Sequence, residues 1–156
     1  MIQSRIGRVS TAGARKDPFM AMDTMSSAGG MAFCTALLLT GDTRTAEAAV
    51  MQGIGAREDF SPRGLLIEAV RSAVRRPTKS PDGPHEVECL PPELRRLFKL
   101  QPLLRHCFVL RILVGLSPEF CAELLEVSVT EFEDAVYEAL TQLPLLCSSK
   151  TQPIRY

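Results

Sequence analysis

Two histidines and five cysteines are the residues of this 156-residue chain best suited to metal or nucleophilic chemistry. His85, Cys89, His106 and Cys107 are all zinc-ligand types. Their spacing, His-x-x-x-Cys followed by an adjacent His-Cys, is not a standard zinc framework, and neighbours on a helix point about 100° apart. The cysteines at 34, 89, 107, 121 and 147 are odd in number and widely spaced, without a C-x-x-C. That pattern argues against a disulfide framework and for a reducing, cytoplasmic setting. Cys107 falls among Leu103, Leu104 and Leu110 on one apolar face, so a core thiol is expected there. No serine has a nucleophile-elbow context, and neither histidine belongs to a triad or metal motif. Gly53 and Gly55 lack the strand and the remaining pattern of a phosphate loop. The reading is a protein that is not an enzyme and carries no cofactor or metal.

Charge is balanced overall, with 18 Lys+Arg against 18 Asp+Glu, so the whole chain offers no electrostatic case for nucleic acid or membrane binding. The balance hides a segregation. Arg71, Arg75 and Arg76, with Lys79 beyond, form a basic stripe that could touch DNA backbone or an acidic partner, or serve only the C-terminal dipole of a helix. From Leu116 to Leu146 stand Glu119, Glu123, Glu126, Glu131, Glu133, Asp134 and Glu138 with no Lys or Arg. Arg95, Arg96, Lys99 and Arg105 are candidates to pair with these carboxylates inside the protein.

The elements that must position these groups are helical. Met31–Thr40 is almost wholly apolar and is stopped by Gly41, as a C-terminal cap glycine would stop it. Asp42 or Thr43 can cap a helix over 45–54, and Ser61-Pro62 opens one over 62–75. Prolines at 77, 81, 84, 91 and 92 separate these helices from the second half of the chain. Further helices are predicted there at 92–100, 103–114, 118–125 and 129–143. Ser117-Pro118-Glu119 opens the third of these, and Ser128-Val129-Thr130-Glu131 fits a capping box before the last. No segment alternates in the manner of a strand, so the fold class is all-α. The run 29–41 is too short to span a bilayer. Leu110, Leu113, Leu124, Val127, Phe132, Val136 and Leu140 are expected to be buried together.

The organisation read from this is a disordered tail over 1–30, a helical unit over 31–76, a Pro-rich linker over 77–91, a second helical domain over 92–146, and a tail over 147–156. The first tail carries Arg5, Arg8, Arg15 and Lys16 without apolar periodicity. It is faintly similar to an organelle transit peptide, but a flexible tail or an overlong start, with later methionines at 20, 22, 25 and 31, is the plainer reading. Units of this size are marginal alone, so the two should pack on each other or on a partner.

Four motifs occur in order over 90–143: Leu90-Pro91-Pro92-Glu93-Leu94-Arg95, Phe108-Val109-Leu110-Arg111, Gly115-Leu116-Ser117-Pro118-Glu119, and Cys121-Ala122-Glu123-Leu124-Leu125-Glu126-Val127-Ser128-Val129. This series resembles the C-terminal helix-turn-helix domain of bacterial extracytoplasmic-function sigma factors. Gly41-Asp42, Ala46-Glu47 and Val50-Met51-Gln52 are similar to that family's polymerase-binding region, and 60–76 to the helix after it. The resemblance implies two small helical units, RNA polymerase core as partner, and a second helix of the helix-turn-helix in the DNA major groove. It also makes Asp42, Glu47, Val50 and Gln52 polymerase-contact candidates, and Arg71, Arg75, Arg76, Glu131, Glu133, Asp134 and Glu138 contact candidates for DNA or another partner. Cys121 takes the place of a core isoleucine.

The departures bear on function. Where the family's recognition helix carries lysines and arginines, this chain has Glu131, Glu133, Asp134, Ala135 and Glu138. DNA affinity comes largely from cations that displace counterions at phosphates, and carboxylates oppose it. The family's turn glycine is Glu126, whose left-handed conformation would cost roughly 1 kcal/mol. The first unit is short, tryptophan is absent, and Phe60 is the lone aromatic residue between Cys34 and Cys89. The expectation is therefore a sigma-factor-like transcription protein whose promoter recognition is weak or lost. The alternative is a protein-interaction module on the same scaffold that binds polymerase, another regulator or itself.

Overall fold

The computed structural model describes residues 27–56, 61–78 and 87–148, with 147 and 148 described by backbone alone. Phe60, Lys79, His85, the tails before 27 and after 148, and the middle of the Pro-rich segment lie outside the described residues. Every element among the described residues is helical. In chain order they are α1 (Ala28–Thr40), α2 (Thr43–Ala56), α3 (Pro62–Val74) and α4 (Pro92–Arg95) with a 3-10 turn over Arg96–Lys99. Next come α5 (Pro102–Phe108), continued by a π-helical turn over Val109–Leu113, then α6 (Pro118–Leu125) and α7 (Val129–Ser148).

Local chemistry sets the boundaries. Ser27 caps α1 by accepting from the Gly30 N–H at 3.0 Å, so the helix starts inside the stretch expected to be tail. The glycines at 29 and 30 obscured that start. Gly41 ends α1 at φ 72°, donating its N–H to the Leu37 carbonyl. Ser61 and Ser117 cap α3 and α6, each followed by a first-turn proline. α7 runs through Pro144, expected to end it, to Ser148, and Leu146 in that last turn packs on the core.

α1 is apolar all round, so none of its faces suits water, and its C-terminal half, residues 36–40, is buried on every side. It packs against α2 and α3 on one side and against α5 and the π-helical turn on the other. One core cluster therefore runs from Leu37 and Leu39 through Val70 and Ala73 to Cys107, Leu110, Cys121 and Phe132. Val87 and Leu90, at the end of the Pro-rich segment, are buried in it too, so that end of the segment is packed and not a free linker. α2 crosses α3 at Gly53, where a Cβ would stand 2.8 Å from the Ala69 nitrogen; glycine here is a packing requirement.

Two of the seven expected core residues are on the surface. Leu113 is 45% exposed and Leu140 45% exposed, while Leu124 and Val127 are half-buried at the core's edge. The π-helical turn displaces Leu113: Val114 donates to the Val109 carbonyl five residues back, and the apolar phase shifts from 113 to 114. On α7 the small side chains of Ala135 and Ala139, with Phe132 and Val136, face inward and let α5 approach closely. The helix is rotated so that Leu140, expected inside, faces out, as does Val129.

This difference gives a paired test. Phe132→Ala should destabilise the protein by about 3–5 kcal/mol in a urea melt, whereas Leu140→Ala should cost under about 1 kcal/mol. Equal costs would mean that α7 is rotated otherwise.

Candidate functional site

The α6–α7 corner is built by three caps. Ser117 accepts from the Phe120 N–H at 3.3 Å. Glu126 closes α6 in the left-handed region, φ 57°, its N–H reaching the Ala122 and Glu123 carbonyls. Ser128 and Glu131 form the capping box: Glu131 N–H donates to Ser128 Oγ at 3.1 Å, and Ser128 N–H donates to Glu131 Oε2 at 2.9 Å. Hydrogen bonds from Ser128, the backbone one first, hold the Glu131 carboxyl below its ordinary range. Glu131 is thus tied to the corner, while Glu133, Asp134 and Glu138 stand on the exposed side of α7, Glu138 accepting from the Gln142 amide at 2.9 Å.

The basic stripe lies opposite α6. Arg71 sits over the Phe120 ring, 5.7 Å to its centre, with the Glu68 carboxylate 3.8 Å from its Nε. Arg71, Val74 and Arg75 form one wall of a cleft of about 480 Å³, and Phe120, Glu123, Leu124 and Glu126 the other. A smaller recess of about 190 Å³ continues along α3 between Arg71, Arg75, Arg76 and Gln52. There Gln52 Oε1 accepts from Ser72 Oγ at 2.7 Å and from Arg76 at 3.0 Å. One polymerase-contact candidate, Gln52, is thus brought together with the basic stripe, a juxtaposition that needs the α2–α3 crossing and is not visible in the sequence.

The other members of that set scatter. Asp42 caps α2, accepting from the Thr45 N–H at 2.9 Å and its hydroxyl at 2.6 Å. Val50 is half-buried against the core, and Glu47 is exposed.

Arg105 departs from expectation. It is fully buried, its guanidinium nitrogens have no hydrogen-bond partner among the described residues, and it rests on the Phe98 ring, 4.7 Å to the centre, with no carboxylate of those residues paired to it. Burial lowers its pKa to about 10, which leaves it charged at neutral pH. Arg95 likewise goes to backbone, donating to the Leu90 and Glu88 carbonyls at 2.8 Å. Next to Arg105, His106 Nε2 lies 2.7 Å from the Leu39 carbonyl; since a carbonyl only accepts, Nε2 carries the proton. This bond joins α5 to the end of α1.

Cys107 and Cys121 are buried, and burial pushes their thiols up to about 12 and about 11, so both are poor nucleophiles. Cys34 is half-buried and Cys89 exposed. Among the described residues no group of three or more His, Cys, Asp or Glu side chains could hold a metal ion. None of their helices is long and apolar enough to cross a membrane. Comparison of the chain with family models, curated proteins and solved structures gave no match.

Burial holds the His106 pKa at about 4, against about 6.5 in an open chain, with Arg105 adding to the effect. Between those values the unfolded chain binds a proton that the folded protein does not. Stability is therefore complete above about pH 6.5 and falls as the pH drops to about 4, by at most about 3 kcal/mol. Urea melts at pH 7 and 4.5 should show this loss, and His106→Gln should remove that part of it. Equal pH dependence in both proteins would contradict the assignment.

Proposed function

We propose that this chain is a sigma-factor-like transcription protein that works through protein contacts, its promoter recognition weakened or lost. The four motifs over 90–143 support the scaffold. The observation that carries the rest is the exposed side of α7, which presents Glu133, Asp134 and Glu138 where a groove-reading helix needs cations. Unit charges of like sign about 4 Å apart repel by about 1 kcal/mol even in water, so each carboxylate brought to a phosphate lowers affinity. Three of the basic residues that could compensate are engaged elsewhere: Arg105 is buried, Arg95 holds backbone carbonyls, and Arg111 donates to the Leu116 carbonyl at 3.3 Å.

A second reading is the protein-interaction module on the same scaffold, taken in the form that binds another regulator or itself in place of polymerase. It draws on Tyr137, 75% exposed, and Leu140 on the same acidic side, since apolar groups there suit a protein partner better than a phosphate. Retention of RNA polymerase core from the native host separates the two. The first reading expects core subunits to be held, and held less by Glu47→Lys, which alters an exposed residue. No retention by the unmodified protein would favour the second.

The repulsion between α7 and duplex DNA is measurable. The unmodified full chain should bind duplex DNA at most weakly at low salt, where phosphate attraction is strongest. Glu133→Lys with Glu138→Arg should raise that affinity and steepen its dependence on log salt by up to about 2. Tight, salt-sensitive binding by the unmodified chain would return it to ordinary promoter recognition.

A further inference from the structure

The rotation of α7 leaves an uncovered face. At 100° per residue, Val129, Glu133, Tyr137 and Leu140 fall within about 80° of arc, and Asp134 and Glu138 follow about 60° and 100° further round from Tyr137. All six are exposed, and no described element packs over them. An apolar stripe with one carboxylate within it and two along one side, and no Lys or Arg in the chain from 116 to 146, calls for an occupant that is both apolar and cationic.

The chain contains such a segment. Residues 1–16 hold Arg5, Arg8, Arg15 and Lys16 and no carboxylate, with Ile2, Ile6 and Val9 interleaved among the first two arginines. The zero net charge of the chain depends on both segments, one wholly cationic and the other wholly anionic. The connection from Lys16 to the cap at Ser27 can extend roughly 35 Å, and α7, at 1.5 Å per residue, is about 30 Å long. A contact within one chain pays no separate association cost, so a few exposed ion pairs and two or three apolar side chains suffice for it.

We propose that the basic segment 2–16 docks on the Val129–Tyr137–Leu140 face of α7 in the same molecule, with Arg5 and Arg8 against Glu133, Asp134 and Glu138. This goes beyond the transcription reading, since it involves neither polymerase nor DNA. The segment covers the acidic face when no partner is present, and a basic partner would have to displace it.

Amide NMR on the full chain tests the contact. Arg5→Glu with Arg8→Glu should shift the signals of Glu133, Asp134, Tyr137 and Glu138, equally at low and high protein concentration. About 1 M salt, which shortens the screening length to about 3 Å, should move the unmodified protein toward the same shifts. Adding Glu133→Arg and Glu138→Arg to the first pair should restore the contact, read as renewed salt sensitivity at Tyr137. The Phe132 signal reports whether the fold survives each change. Shifts confined to other residues, or none, would overturn the proposal. Shifts that grow with protein concentration would overturn it in favour of a second copy of the chain.

Discussion

The burial of α1 is the constraint on which the rest of the molecule depends. A thirteen-residue helix with no polar face cannot rest on the surface of a three-helix unit, because half of it would remain in water. At about 25 cal/mol per Å² of apolar area, each exposed leucine would forgo roughly 1.5–3 kcal/mol. α2 and α3 cover one side and α5 with its π-helical turn covers the other. Two segments that are each marginal in size thereby share one core. His106 marks the join: its ring lies among apolar groups and its one proton goes to the backbone of α1 at Leu39.

With the interior committed to that helix, charge is pushed outward and sorted. α3 presents Arg71, Arg75 and Arg76 to the cleft and the recess beside it, α6 faces them with Glu123 and Glu126, and α7 turns its other carboxylates to solvent. On the corner between α6 and α7 the exposed carboxylates repel a polyanion. Arg105 is the opposite case, a cation buried without a counter-charge among the described residues and resting on an aromatic ring in place of water.

Much of this is legible in the sequence, for local reasons. Caps act within three or four residues, so Gly41, Ser61-Pro62, Ser117-Pro118 and the Ser128–Glu131 box could be read directly, and the all-α class follows from the absence of alternation. The features that could not be read depend on partners distant in the chain. The choice between Leu140 and Ala139 as the inward residue is set by how closely α5 approaches α7. The exit of Leu113 is set by a π-helical turn that no residue type announces. The meeting of Gln52 with Arg76 needs Gly53 to let two helices cross, and the burial of Arg105 runs against the ordinary habit of arginine. Of the candidate contacts, the sequence located the exposed acids of α7 and the basic end of α3. It did not show that Asp42 is occupied as a cap, or that Tyr137 and Leu140 share the acidic side.

The claim that one helix unites both halves is tested most directly by native-state hydrogen exchange. If α1 is enclosed by both halves, the amides of Leu38 and Leu39 and those of Cys107 and Leu110 open together, with one free energy and one dependence on denaturant. Amides of α1 through α3 exchanging by an opening that leaves α5 and α7 protected, or the reverse, would show two independent bodies and contradict the account.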